Sequence, residues 1–292
     1  MTHASALRSA FRTRLQQPGI LTFPGTGDAM GARLTEAAGF DGVFMSGYVV
    51  ESTYGQPDVG LLTLSEMAQR AAEICDVTHI PVIADADTGY GGVANVQRMM
   101  REFERAGVAG IQLEDQALPK KCGSMAGKAL VSTAEMVAKI RTACDTRQDD
   151  NLLIIGRTDA MAVEGMDAAM DRLAAYREAG ADMVMMLGPY TKAQARDFIG
   201  RAPGPVAYLN SESFTMPMLP VDELGMMGAK LAIFPLALSL AAARGMQRAL
   251  DAIRQAGTTR HIADVDMISW AECNALMGLG AIHALENRFQ ND

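Results

Sequence analysis

Sulfur and imidazole chemistry are thin in this chain. Its 292 residues hold four cysteines, Cys75, Cys122, Cys144 and Cys273, and no two of them form a CxxC pair. That excludes a disulfide scaffold and a thiolate metal site, and it fits free thiols in a reducing cytoplasm. Histidine is equally scarce: His3, His79, His261 and His283 all fall away from the ends of the expected strands, which speaks against zinc. Long apolar runs are missing too. The longest, Leu231–Ala243, carries a proline and is too short to cross a bilayer. The stretch MTHASALRSAFRTRL has bases and alanines but no apolar segment, so no secretory signal is expected. There is no basic surplus: the net charge is −8, with both signs interspersed, which argues against a nucleic-acid or anionic-membrane surface. What the chain has is apolar mass. At 49% hydrophobic it can bury a large core, and its 21 methionines read as adaptable filler for that core.

One phrase recurs. EAAGFDGVFM (36–45), ERAGVAGIQL (104–113) and REAGADMVMM (177–186) each join a charged helix end, an Ala-Gly pair and an apolar run; LGMMGAKLAIF (224–234) is a looser copy. Glycine suits the position just past a helix, where the backbone turns left-handed. The run that follows is apolar on both faces, as in a parallel strand covered by helices. Eight such runs are expected as strands: Ile20–Phe23, Gly42–Ser46, Val82–Asp85, Gly110–Glu114, Leu152–Gly156, Asp182–Leu187, Val206–Leu209 and Lys230–Phe234. Amphipathic helices are expected between them, among them Asp28–Ala38, Ser65–Cys75, Val93–Ala106, Ser132–Cys144, Met166–Ala179 and Lys192–Arg201. Repeated βα units in a chain of this length point to an α/β fold of the TIM-type (β/α)8 barrel, with a doubly wound sheet as the alternative. No linker divides the chain, so residues 1–292 are expected to form one domain. Further helices, roughly Ala237–Gln255 and Ser269–Asn287, exceed what one barrel needs and are expected to pack on a neighbouring subunit.

In a barrel the active site lies at the C-terminal ends of the strands. Those positions read Ser46-Gly47-Tyr48, Asp85-Ala86-Asp87, Glu114-Asp115, Arg157-Thr158-Asp159 and Asn210-Ser211-Glu212. Asp85, Asp87 and Glu114 come from neighbouring strands and would repel one another unless a hard cation such as Mg²⁺ sat among them. A salt bridge to Arg157 or Lys120 is the alternative. The Arg157 fork suits a bound carboxylate, or else a pair with Asp159. Ser46 and Gly47 offer a hydroxyl and an open backbone N–H, the parts of an anion cradle. Cys122 stands in a loop beside Lys120, Lys121 and Gly123, an electropositive setting expected to lower its pKa and to make it a candidate acid, base or nucleophile. The glycine pattern PGTGDAMG (24–31) has the wrong third spacing for a dinucleotide site and reads as a tight turn, with Asp28 near a helix start.

Together these residues resemble the isocitrate lyase and phosphoenolpyruvate mutase superfamily, in particular its short methylisocitrate-lyase-like members. The resemblance runs from about Arg8 to Phe289. It rests on MSGY (45–48), PDVGLLTLSE (57–66), PVIADADTGYGG (81–92), IQLEDQALPKKCG (111–123), IIGRTDA (154–160) and YLNSE (208–212). It implies a TIM-type barrel whose eighth helix is swapped between subunits, in a homotetramer built as a dimer of dimers. It implies Mg²⁺, with Mn²⁺ as a substitute, held by Asp87 with Asp85 and Glu114 acting through water. Ser46, Gly47 and Tyr48 match the segment contacting a 2-keto acid. Lys120, Gly123, Ser124, Arg157 and Asn210 match substrate-binding positions. Tyr48 and Asp58 are expected to be catalytic, and Cys122 matches the general acid.

The implied activity is a Mg²⁺-dependent carbon–carbon lyase that cleaves a 2-hydroxy dicarboxylate through an enolate to a 2-keto acid such as pyruvate. Two departures bear on its substrate. Ser124 stands where lyases of this type carry histidine, and Leu187 stands where strand six usually ends in glutamate. Both favour a smaller or more apolar acid, such as a substituted malate or citramalate, over a tricarboxylate. An oxaloacetate hydrolase or decarboxylase and a P–C bond phosphonomutase are the alternatives within the superfamily. A keto-acid-binding barrel without catalysis is the alternative outside it. The expected partner is a small carboxylate in the cytoplasm, with neither nucleic acid nor membrane involved.

Overall fold

The computed structural model describes residues 2–213 and 215–290; residues 1, 214, 291 and 292 of the expected single domain lie outside the described residues. The strands are β1 (Leu21–Thr26), β2 (Val43–Met45), β3 (Val82–Asp85), β4 (Gly110–Glu114), β5 (Leu153–Thr158), β6 (Met183–Met186), β7 (Ala207–Leu209) and β8 (Leu231–Phe234). They pair in parallel in the order β6-β5-β4-β3-β2-β1-β8-β7. The two ends of that series meet in a parallel bridge, Val184 to Val206, where the Val184 N–H donates to the Pro205 carbonyl at 3.0 Å. The sheet is therefore a nearly closed barrel, not a doubly wound sheet.

Helices follow the strands on the outside: α1 (His3–Gln16), α2 (Ala29–Ala37), α3 (Gly47–Thr53), α4 (Leu64–Val77), α5 (Val93–Ala106), α6 (Thr133–Thr146), α7 (Met166–Glu178), α8 (Lys192–Arg201) and α9 (Val221–Met227). Local chemistry starts and stops them. Thr63 and Glu66 form a reciprocal cap on α4, and Asp28 caps α2 through the Gly31 N–H. The glycines of the repeated phrase turn left-handed as their spacing suggested, with φ of 78° at Gly39, 94° at Gly107 and 111° at Gly180. Helix α1 crosses the bottom of the barrel. Its Arg8 donates to the carbonyls of Glu104 and Val108, ahead of β4, and its Phe11 ring lies 5.4 Å from that of Phe23. With the bottom covered, the strand ends at the top are left to carry the site.

The structure departs from the expected elements in three places. β1 runs on to Thr26, through residues expected to be a turn. Its pairing with β8 ends at Pro24 opposite Phe234, and Gly25 and Thr26 continue the strand by pairing with Phe44 and Met45 of β2; at Gly25 a Cβ would lie 2.4 Å from the Pro235 carbonyl oxygen. Helix α3 begins at Gly47, directly after β2, with Ser46 at the N-cap position but its hydroxyl making no capping bond. The last expected helix is broken: after α10 (Ala237–Ala256) come α11 (Ala263–Asp266), α12 (Trp270–Leu276) and α13 (Leu279–Gln290), with Gly278 at φ 85° between the last two. In α10 only Ala252 is buried, whereas Leu240, Met246, Leu250 and Ile253 face outward from this protomer.

Candidate active site

The strand ends bring buried acids together. Asp85 ends β3, Asp87 follows it and Glu114 ends β4, and all three are buried. Asp87 sits at φ 48°, a left-handed position that costs a non-glycine residue strain and that clusters at functional sites. Asp85 accepts from the Gly47 N–H at 3.3 Å, the Asp87 N–H at 3.1 Å and the Gln112 amide at 3.2 Å. Glu114 takes the Arg157 guanidinium at 2.8 Å, and Arg157 also reaches Asp159 at 3.0 Å. Lys120 stands 2.5 Å from both Asp58 and Asp87.

Burial drives the titration of this group. It raises Asp85, to about 6, raises Asp87, and raises Glu114 well above the carboxylate range; the Asp87 charge adds to the rise at Asp85. Burial alone would lower Lys120, but the charges of Asp87 and Asp58 outweigh it and hold the ammonium well above its ordinary value.

Do these residues fit a divalent cation? Were all of them ionised, Asp58, Asp85, Asp87, Glu114 and Asp159 would set five negative charges against the three positive ones of Lys120, Arg157 and Lys128, a surplus of two that only a further cation would balance. Glu51, whose carboxylate accepts from the Val59 and Leu61 amides, adds to the excess. Asp87 Oδ1 and Glu114 Oε1 are buried without a hydrogen-bond partner; Lys120 is close to the first by distance but does not satisfy it as a donor. Among the described residues no three His, Cys, Asp or Glu side chains converge on one point as a metal cage. A hard cation with few protein ligands and several waters meets all of these conditions, and that is the habit of Mg²⁺. The residues fit the group. They also answer the salt-bridge alternative: the bridges to Arg157 and Lys120 exist, and they are too few to balance the cluster in its ionised form.

Above the acids lies a cavity of about 40 Å³, room on the order of three waters. Ser46, Tyr48, Asp58 and Asp85 form one side of it, Cys122, Gly123 and Ser124 the lid, and Arg157 with Gln112 the floor. Leu187, Leu209 and Leu236 make an apolar wall. The lid is held down because the Cys122 N–H donates to the Asp58 carbonyl at 2.9 Å. Gly123 is packed so tightly that a Cβ would come within 2.4 Å of both Arg157 Nη2 and Leu187 Cδ2.

Several expectations need correcting. The Cys122 thiol is not lowered by its lysine neighbours. Burial, then the Asp58 charge, pushes it up to about 11. The reason is direction: Lys120 points to Asp58 and Asp87, and Lys121 donates to the Gly127 carbonyl. Cys122 is thus a thiol, suited to giving a proton rather than to attacking. Lys120 does not line the cavity. Nor does Asn210, whose amide is consumed locally: it donates to the Leu219 carbonyl at 2.8 Å and accepts from the Leu219 N–H at 2.9 Å. Asp115 turns away from Glu114 into a structural hub with Thr158, Tyr176 and Arg172. Sequence reasoning missed Gln112, which bridges Asp85 and Glu114, and Lys128, which joins Asp159 at 2.7 Å. A polar residue alternating inside an apolar strand was the available signal for Gln112.

Fold and site together define a (β/α)8-barrel enzyme with an acidic, buried site at the tops of its strands. The family model described as phosphoenolpyruvate phosphomutase matches residues 11–254, and the chain belongs to the isocitrate lyase/phosphoenolpyruvate mutase superfamily. It is 41% identical to the 2,3-dimethylmalate lyase of Eubacterium barkeri over 290 residues, 99% of each chain. It is 40% identical to the 2-methylisocitrate lyase of Aeropyrum pernix over 253 residues, 87% of this chain and 82% of that one. Among solved structures it matches oxaloacetate acetylhydrolase in complex with 3,3-difluorooxalacetate at a TM-score of 0.91 and 32% identity, covering 98% of this chain and 97% of that one. It matches a phosphonopyruvate hydrolase complexed with oxalate and Mg²⁺ at 0.87 and 28% identity, covering 99% and 100%.

Proposed function

We propose that this enzyme is a divalent-cation-dependent carbon–carbon lyase that splits a substituted malate, of the 2,3-dimethylmalate kind, into a 2-keto acid and a saturated acid. One observation carries the reading: a protonated thiol, Cys122, and an apolar wall built on Leu187 face the same small cavity above Arg157. A proton donor is what a departing carbanion needs, and an apolar wall suits methyl groups rather than a third carboxylate. The relative's name, over the full length of both chains, supports the same substrate class.

Asp87, with Asp85 and Glu114 through water, would hold Mg²⁺, or Mn²⁺ in its place, and the cation would supply Lewis-acid charge where an enolate forms. The chain's own groups do the rest. Ser46, the Gly47 backbone and Tyr48 bind the half that becomes the keto acid. Arg157 offers a fixed cation to a substrate carboxylate, preorganised by Glu114 and Asp159. Asp58, paired with Lys120 at 2.5 Å, takes the proton of the 2-hydroxyl, with Tyr48 orienting that hydroxyl. The C2–C3 bond breaks, C2 becomes the ketone, and the electron pair passes to C3 and its carboxylate. Cys122 protonates C3, and its thiolate regains a proton from Asp58. Gly123 and Ser124 close the far end.

The same reading places the protein in the cytoplasm as a homotetramer, a dimer of dimers that exchanges α10, with residues 237–292 of the one barrel domain serving assembly. The outward Leu240, Met246, Leu250 and Ile253 support it. No described helix is long and apolar enough to cross a membrane.

The test is a substrate panel of 2,3-dimethylmalate, 2-methylisocitrate, citramalate and oxaloacetate, with and without EDTA. Pyruvate release from 2,3-dimethylmalate that disappears in EDTA and in Cys122→Ser is the expected result. Oxaloacetate consumption that survives Cys122→Ser would replace the lyase by a hydrolase or decarboxylase. Turnover of a phosphonate would point to the mutase. Oxalate binding with no turnover of any compound would leave a keto-acid-binding barrel.

A further inference from the structure

We infer that Ser213 is a positioning residue that latches the Cys122 loop over the cavity through the hydroxyl of Ser124. This deepens the reading of Cys122 as the proton donor and rests on it. The geometry begins with the segment after β7. It is tied down at several points: the Asn210 amide pairs with both backbone groups of Leu219, the Tyr208 hydroxyl donates to the Pro217 carbonyl at 2.8 Å, and Glu212 accepts from the Leu236 N–H at 3.2 Å. A segment held this way presents its hydroxyls at fixed places. Ser213 presents the middle one. Its Oγ accepts from the Ser124 hydroxyl at 2.6 Å and lies 2.9 Å from Ser211 Oγ and 3.2 Å from Thr215 Oγ1. Ser124 and Ser211 both line the cavity, whereas Ser213 does not.

The chain of hydroxyls therefore bridges two separate pieces of backbone, the loop that carries Cys122 and the platform after β7. Only Gly123 separates Cys122 from Ser124. A bond at Ser124 fixes where the thiol stands, as the bond from the Cys122 N–H to the Asp58 carbonyl fixes it from the other side. Lys128 restrains the far end of the same loop, reaching both Asp159 and the Gly123 carbonyl. Ser124 is thus placed as a structural hydroxyl bonded across the loop junction. A charged imidazole at that position would have no counter-charge among Ser211, Ser213 and Thr215. The latch accounts for serine at 124 and for hydroxyls at 211, 213 and 215 by one arrangement.

The experiment measures loop opening without turnover. The full-length protein is labelled with iodoacetamide at fixed pH, and the Cys122 rate is obtained by peptide mass mapping, with Cys122→Ser as the blank. Ser213→Ala removes the acceptor, and Ser213→Thr keeps a hydroxyl. The labelling rate at Cys122 is expected to rise about threefold to tenfold in Ser213→Ala, the range set by losing one neutral hydrogen bond. It should return toward the parent value in Ser213→Thr, while labelling of Cys75 and Cys144 stays unchanged in both. Equal Cys122 rates in parent and Ser213→Ala, or a rise shared by all the cysteines, would overturn the latch. Turnover on the panel substrate is read separately. It should fall in kcat more than it rises in KM, and a rate that stays at the parent value despite faster labelling would overturn the proton-donor reading instead.

Discussion

Asp58 grips the neighbourhood of Cys122 with both of its halves: its carbonyl accepts the Cys122 N–H at 2.9 Å, and its carboxylate takes the Lys120 ammonium at 2.5 Å. The second contact removes the nearest lysine from the thiol's surroundings and leaves a carboxylate in its place. Burial and that negative charge both disfavour a thiolate, which is why the thiol rises to about 11 rather than falling.

The pH dependence follows from the sign of that shift. The form able to donate is the protonated one, so raising the pH removes it only near its own pKa. Turnover should stay flat on this limb from neutral pH to about 10 and decline toward about 11. Alkylation should run the other way, since the thiolate reacts. At pH 8 Cys122 should react at least about a hundredfold more slowly than an exposed, unperturbed thiol. A labelling profile with its midpoint near neutrality would contradict the burial account.

Asp87→Asn tests the cation. Asparagine tolerates the left-handed backbone at φ 48°, so the change removes charge without adding strain. It also lowers the surplus of buried acid, and Lys120 keeps Asp58 as a partner. In EDTA the variant should melt at or slightly above the parent temperature. Adding Mg²⁺ should raise the melting temperature of the parent by mass action and leave the variant unmoved. Cation-dependent turnover should vanish. A Mg²⁺-induced thermal shift that persisted in the variant would move the site away from Asp87.

The barrel was legible because its strands are apolar on both faces and several are introduced by a left-handed glycine, as at Gly39, Gly107 and Gly180. Local rules sufficed there. They failed where tertiary contact decided. The extra length of β1 depends on Gly25 and Thr26 pairing with Phe44 and Met45 of β2, and no window around residue 25 contains that information. The acids at strand ends were legible as a cluster because β3 and β4 are neighbours by chain order. The direction of Lys120, the use of Asn210 and the titration of Cys122 were not, since each depends on a partner dozens of residues away or nine residues on across a turn.

Leu187→Ala tests specificity. The side chain is buried, lines the cavity and touches the lid at Gly123. Loss of an apolar contact to a substrate methyl costs about 1–3 kcal/mol, or about tenfold to two-hundredfold in discrimination. The ratio of kcat/KM for 2,3-dimethylmalate over unsubstituted malate or oxaloacetate should fall by that factor. Equal losses on every substrate would mean that Leu187 supports the lid and does not read the methyl groups.

Asn210→Ala separates platform from pocket. If the amide bound substrate, its removal would raise KM and leave the fold alone. Its two bonds instead join β7 to Leu219, and both are buried. Losing them should cost about 1–3 kcal/mol of stability, counting two neutral hydrogen bonds. In a chain of this size that lowers the melting temperature by about 2–5 °C. The displaced platform would also carry Ser213 away from Ser124, so iodoacetamide labelling at Cys122 should quicken as it does in Ser213→Ala. Substrate affinity should change less than kcat, because the atoms that line the cavity remain. A variant with parent melting temperature, parent labelling and a raised KM would return Asn210 to the substrate and remove the platform on which the latch depends.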